Sequence, residues 1–244
     1  MQFSDTSTRQ GLIQSCEDTT GLGAAGISGV AAKLQSFTRW IDERYLEITG
    51  FIISCDGRWQ WDDSNQTNSP VATTALVSDQ RDYTVLAATP SSGQDWLEVE
   101  KVEIKDSNGD LYYLTPIDEK LTNQSLEETY ETSGSPVFYD FIGASIKLYP
   151  ATDYSLAAGL KVHFKRAPLL FTTSDTTKIP GFASIFHKYL SLGASFDYCI
   201  SNDMVRANNL KVLMAEIKAD IKKFYSKRSK FEKPTLSRAY QAYK

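Results

Sequence analysis

The stretch from Pro136 to Pro168, PVFYDFIGASIKLYPATDYSLAAGLKVHFKRAP, constrains the fold most, because strand patterning is clearest there and helical patterning lies on both sides. Val137, Tyr139 and Phe141 alternate with Phe138, Asp140 and Ile142. Ser145 to Tyr149 returns after Gly143, and Leu160, Val162 and Phe164 alternate with Lys161, His163 and Lys165. Three strands with a specified sheet face follow. Gly143 supplies the first turn, Tyr149-Pro150 ends the second strand, and Ala157-Ala158-Gly159 leads into the third.

On the N-terminal side, Thr8 to Glu17 reads as a short helix with Leu12, Ile13 and Cys16 on one face, broken by the run Gly21 to Gly29. A longer helix then places Ile27, Val30, Leu34, Ile41, Tyr45 and Ile48 on one apolar stripe. Gly50 is expected to stop it, since glycine takes a left-handed C-terminal conformation at no steric cost. On the C-terminal side, Phe182, Ile185, Phe186, Tyr189, Leu192 and Phe196 form one stripe. Leu210, Leu213, Met214, Ile217, Ile221 and Phe224 form the next, with Ser201-Asn202-Asp203 as a cap or kink between them.

Between the helical ends the pattern is short apolar runs separated by turn residues. Arg58 to Trp61 reads as a strand, and Ala75 to Val77 with Tyr83 to Leu86 as a hairpin around SDQR. A firmer hairpin joins Val99–Lys105 to Leu111–Leu114 through Ser107-Asn108-Gly109, because Asn-Gly suits a tight turn. Val102 and Ile104 are expected to face inward, with Lys101, Glu103 and Lys105 outside. Thr115-Pro116 reads as a cap and first helical residue, predicting short helices within 116–131. Phe171 to Pro180 reads as a polar linker. Helices at both ends can pack together around an inserted β module, which predicts an α+β fold. The expected division is a helical body of 1–50 and 178–228, an inserted antiparallel sheet or sandwich of 51–177, and an extended tail of 229–244.

Charge is unevenly spread. The chain of 244 residues carries a net −4, yet residues 222–244 hold eight basic side chains against Glu232 alone, a local +7 that leaves −11 on residues 1–221. An acidic body with a basic tail points to docking on an acidic partner surface or on nucleic acid, with a solvated helix end as the plain alternative. Aromatic residues are interleaved with the cations there: Phe224, Tyr225, Phe231, Tyr240 and Tyr243 among Lys227, Arg228, Lys230 and Arg238. Such anchors suit burial at an interface, and they can also grip a phosphate backbone.

Other chemical motifs are weak. Gly21-Leu22-Gly23-Ala24-Ala25-Gly26 matches a dinucleotide fingerprint, but CEDTT before it is not a strand. Asp106, Asn108 and Asp110 open like a calcium loop, but Leu111 and Ile117 stand where glycine and glutamate are needed. His163 and His187 have no hydrolase signature around them, and Cys16, Cys55 and Cys199 have no metal or disulfide spacing. Trp59 and Trp61 beside Asp62 and Asp63 could form a sugar platform, which keeps a carbohydrate- or receptor-binding β module as the rival reading. No apolar leader or membrane span is present, so a protein made in the cytoplasm and kept soluble is expected. No catalytic residue, metal or cofactor is predicted.

Several features converge in order: RWIDERYLEI in the N-terminal helices, Trp59-Gln60-Trp61, the Val99–Leu114 hairpin, Gly134-Ser135-Pro136 with Tyr139, Ile146-Lys147-Leu148-Tyr149-Pro150 with Asp153, and Phe164-Lys165-Arg166. Together, over most of residues 8–225, they resemble the head-to-tail connector (adaptor, neck or head-completion) proteins of tailed bacteriophages. The resemblance implies a structural, non-enzymatic virion protein at the neck, a homo-oligomeric ring of roughly twelve copies. Its implied partners are the portal protein, a downstream tail or neck protein, and DNA passing through the lumen without specific binding. The family's use of a C-terminal segment to grasp the portal implies docking by Phe224, Tyr225, Lys227, Arg228, Lys230, Phe231, Arg238, Tyr240 and Tyr243.

Overall fold

The structure is a computed structural model that describes residues 1–55, 71–84, 96–118, 125–143 and 145–226. The chain divides into two compact units, Met1–Asp62 with Phe171–Lys244, and Asp63–Leu170. The first is helical and the second is built from strands, which makes the fold α+β.

The helical unit contains α1 (Leu12–Thr20), α2 (Ala31–Cys55), α4 (Lys188–Asn202) and α5 (Met204–Tyr225). The first helix begins later than expected. Asp5 accepts the backbone N–H groups of Ser7 and Thr8, and Arg9 has a φ of 58°, so the chain enters the helix only after Gly11. At its far end Gly21, with a φ of 75°, takes the left-handed turn. The second helix does not stop at Gly50. It runs on to Cys55 and buries Phe37, Ile41, Tyr45, Ile48 and Ile52, whereas Val30, placed on the stripe by periodicity, is exposed. The apolar rows before and after Gly50 are continuous, and that burial overrides the weak helix preference of one glycine.

The helices close on one core. Phe171, expected in a polar linker, stacks on Phe3 at 4.8 Å between ring centroids and donates its N–H to Asp42 Oδ1 at 2.9 Å. The buried Tyr45 hydroxyl accepts the N–H of Gly181 at 2.6 Å. α4 gives way to α5 at Asp203, whose side chain accepts the Arg206 N–H at 3.1 Å, so the predicted break at 201–203 is an N-cap. Charged pairs tie the helices laterally: Arg44 on α2 donates through Nε to Asp197 on α4 at 3.0 Å, and Glu47 accepts from Lys218 on α5 at 2.9 Å. Gly193 permits this approach, since a Cβ there would stand 2.6 Å from Arg44 Cγ.

The β unit holds two four-stranded sheets. Its elements are β1 (Val71–Leu76), β2 (Asp82–Thr84), β3 (Trp96–Lys105), β4 (Leu111–Tyr113), β5 (Thr115–Pro116), the single turn α3 (Leu126–Thr129), β6 (Phe138–Ile142), β7 (Ser145–Tyr149) and β8 (Leu156–Arg166). The sheet orders are β1-β8-β3-β4 and β2-β7-β6-β5. Leu76, Val102, Ile104, Leu160 and Val162 from the first pack with Tyr83, Tyr139, Ile146 and Leu148 from the second, forming one sandwich core.

Two expectations about pairing change here. β1 and β2 do not form a hairpin. β1 pairs with β8 and β2 with β7, so the turn at 77–81 carries the chain from one sheet to the other. Tyr83 fixes that crossing, its hydroxyl bonding both the N–H and the carbonyl of Val77 at 3.2 Å. Thr115-Pro116 is not a helix start either. It runs parallel to β6, with Thr115 N–H on Val137 O and Ile117 N–H on Tyr139 O, an edge position where proline's missing donor is tolerated. The β3–β4 hairpin forms as predicted, with Gly109 at a φ of 92°. Asp106 Oδ1 accepts the N–H groups of Asn108 and Asp110 at 2.8 Å, so this carboxylate serves the turn.

Candidate interaction surfaces

The end of α5 is where the basic segment leaves the helical unit. Tyr225 is 1% exposed and its hydroxyl accepts the Ala183 N–H at 2.9 Å. Phe224, 39% exposed, meets Phe186 edge-on at 5.4 Å between centroids. Lys222 and Lys223 lie in the last turn, where the helix dipole favours cations. Tyr225 is therefore corrected from a docking side chain to a core anchor, because period 3.6 places it over Ile221 on the buried face. Phe224 remains at the surface. Lys227, Arg228, Lys230, Phe231, Arg238, Tyr240 and Tyr243 lie outside the described residues, as do Trp59, Trp61, Asp62 and Asp63.

A second cluster lies on the face of β3 and β8 turned away from the sandwich core. Glu103, expected outside, is 6% exposed. One of its oxygens stands 3.0 Å from His163 Nε2 and 3.2 Å from Lys161 Nζ, and the other 3.1 Å from Lys101 Nζ. Burial alone would raise this carboxyl's pKa. The donors on His163, Lys101 and Lys161 outweigh it and hold the group at about 2. Cross-strand register explains the grouping, since Glu103 is opposite Lys161 and Lys101 is opposite His163. The cluster is a cross-strand ion network centred on Glu103.

The glycine-rich run has a partner that the sequence reading missed. Glu17, fully buried on α1, accepts the Ile27 N–H at 3.1 Å and the Ser28 N–H and hydroxyl at 2.8 and 2.7 Å. The backbone donors of Ile27 and Ser28, just after the fingerprint, are thus engaged by a carboxylate, and the end of the run wraps on a buried acid. His187 is also a core residue. Burial lowers its pKa to about 4, and its ring nitrogens meet the Phe182 carbonyl at 2.8 Å and the Met1 amine at 2.9 Å.

The β unit also carries an open groove of about 700 Å³ between the start of β3 and the edge formed by β5 and β6. Leu97, Val99, Ile117 and Phe141 supply apolar walls, and Glu98, Asp118 and Asp140 are acids along it. Among the described residues no group of His, Cys, Asp and Glu side chains is arranged to hold a metal, and no helix is long and apolar enough to cross a membrane.

What distinguishes the chain is the order of its parts, a helical body interrupted by a two-sheet insert. The family model described as SU10 adaptor protein matches residues 24–226, from the glycine-rich loop through both sheets to the end of α5. The chain belongs to the SU10 adaptor protein family. This is a phage head-to-tail adaptor family, which makes the chain a structural virion component that joins head to tail and associates with other head or tail proteins. No curated protein matches the chain. The adaptor match ends at residue 226, so the basic stretch 227–244 lies beyond it. A recognisable alternation of Glu103 with Lys101 and of Lys161 with His163 could have suggested the buried ion cluster. Nothing local in the sequence pointed to Glu17.

Proposed function

We propose that this adaptor forms a closed ring of roughly twelve copies beneath the portal, continues the DNA channel toward the tail, and grips the portal with its C-terminal segment. The observation that carries the reading is the end of α5. Tyr225 and Phe224 pin the helix terminus to residues 183–186, and a segment rich in Lys, Arg and aromatic residues follows at once. Extended at about 3.3 Å per residue, the 18 residues after Ser226 span roughly 60 Å, enough to cross onto a neighbouring protein. Phe224, Lys227, Arg228, Lys230, Phe231, Arg238, Tyr240 and Tyr243 are the docking side chains in this reading. Contacts weak in one copy become strong when repeated around a ring. The −11 carried by residues 1–221 keeps the lumen from holding DNA that must pass.

Light scattering on the chain alone and mixed with its portal tests this. A large complex that appears with portal, and is lost on deleting residues 227–244, is the expected result. A chain whose mass is indifferent to portal overturns the reading.

A further inference from the structure

Phe171 is the residue at which the chain re-enters the helical unit, and the segment from it to Lys178 is tied there at both ends. Asp42 Oδ1 on α2 accepts the Phe171 N–H at 2.9 Å. Phe3 and Ser4 donate their N–H groups to the carbonyls of Lys178 and Thr176 at 2.7 and 3.2 Å. Between these ties the chain turns on itself, with Asp175 Oδ2 accepting the Thr172 N–H at 2.7 Å and the Thr172 carbonyl accepting the Asp175 N–H at 3.0 Å. The Phe171 ring closes the segment onto the core, 4.8 Å from Phe3 and 5.7 Å from Tyr45 between centroids. A segment with no helix or strand of its own, docked through backbone points and one ring, can open locally while the rest of a domain stays folded.

The charges around Asp42 make one of these ties sensitive to protonation. Asp42 is partly buried, and it meets Glu43 on its own helix and Asp175 in the segment, two further carboxylates, with Lys178 as the facing cation. Lys178 Nζ is itself 3.5 Å from Asp175 and 5.4 Å from the centre of the Phe171 ring, so its charge is shared. An ionised Asp42 is therefore poorly solvated and faces like charges, whereas the neutral acid still offers an oxygen to the Phe171 N–H. Burial raises Asp42 to about 6, although the Phe171 N–H and Lys178 act to lower it. Closing the segment is thereby coupled to a proton. It is most favoured below the ordinary carboxyl range and weakens as pH rises through about 6.

We infer that residues 171–178 are a clasp that Asp42 holds in its neutral form and loosens in its charged form, with α2 and α4 folded throughout. Opening the clasp bares the rings of Phe171 and Phe3, which are 4% and 0% exposed when it is closed. The segment through which the chain returns from the β insert thus opens more often at neutral pH than at mildly acidic pH. The inference concerns a single copy of the chain and stands apart from the ring and portal reading.

Hydrogen exchange read by mass spectrometry on the full-length chain, corrected for the intrinsic pH dependence of amide exchange, tests this at about pH 5 and about pH 7.5. Protection of residues 171–178 is expected to fall by about tenfold from the lower to the higher pH, while that of α2 and α4 holds. Asp42→Asn keeps an acceptor oxygen and cannot ionise, so its clasp is expected to be equally protected at both. Asp175→Asn keeps an acceptor for Thr172 and removes one like charge, so its fall is expected to be smaller than that of the wild-type chain. Equal protection of the wild-type segment at both pH values overturns the inference. So does an undiminished fall in the two variants, or a loss of protection that comes only together with α2 and α4.

Discussion

Glu17 on α1 holds Ser28 by two hydrogen bonds to one carboxylate oxygen, 2.8 Å from the backbone nitrogen and 2.7 Å from the hydroxyl. Burial opposes the charge, but the donors of Ser28 and Ile27 outweigh it and the pKa falls below its ordinary value. The stability this group adds is therefore present above the unfolded carboxyl value and lost as pH falls. Glu17→Ala leaves those backbone donors without their acceptor and is expected to cost about 2–4 kcal/mol in urea unfolding. Glu17→Gln, which keeps an acceptor oxygen, is expected to cost less than half of that.

Arg44 and Asp197 join α2 to α4 in partly buried surroundings, with Glu47 and Lys218 extending the network to α5. A double-mutant cycle with Arg44→Ala and Asp197→Ala is expected to give a coupling of about 1–2 kcal/mol. A value near zero would place the link between these helices in apolar packing alone.

Asp42 and His187 give the helical unit opposed pH responses. Burial raises Asp42 to about 6, so its stabilising contribution is full below the unfolded value and disappears as pH rises through about 6. Burial lowers His187 to about 4, so its contribution is full above about 6.5 and disappears as pH falls through about 4. Between these limits the wild-type urea midpoint should vary little from these two groups. Asp42→Asn, which retains an oxygen for the Phe171 N–H, should raise stability by about 1–3 kcal/mol at pH 8 and little at pH 4. The same variant should expose the acid loss due to His187 as a steady fall between pH 6.5 and 4.

Gly50 sits in an exposed helical position with nothing within 4 Å of the place a Cβ would take. Gly50→Ala is expected to stabilise the chain by about 0.5–1 kcal/mol in thermal or urea unfolding. If the same substitution also weakens ring assembly with portal, the bare backbone at Gly50 is a contact surface between copies.

Much of the helical unit was legible because its determinants are local. Tyr189 and Leu192 recur at helical spacing and are buried on α4, and Asp203 caps where a capping residue stood after a stripe; Phe182 and Phe186 are buried too, but ahead of that helix, in a loop and a short 3-10 turn where Ile185 of the same stripe is exposed. The β3–β4 hairpin followed from Asn108-Gly109 for the same reason. Gly50 misled because one residue's preference was weighed without the apolar positions beyond it. The α5 stripe was legible in direction but not in detail, since Leu213 and Phe224 are exposed and the neighbouring Tyr225 is buried.

By itself the sequence determined the α+β class, the helical ends, the strand-rich insert and the basic aromatic tail, all of which follow from periodicity, turn chemistry and charge along the chain. Only the tertiary structure decided that β1 and β2 belong to different sheets, that Thr115-Pro116 is an edge strand, and that Glu17 and Glu103 are buried among donors. It alone opened the groove between β3 and β5. The physical reason is that a strand's partner and a buried charge's compensation are chosen by residues distant in sequence. Period-two alternation says which side of a strand is apolar, and says nothing of which strand lies beside it.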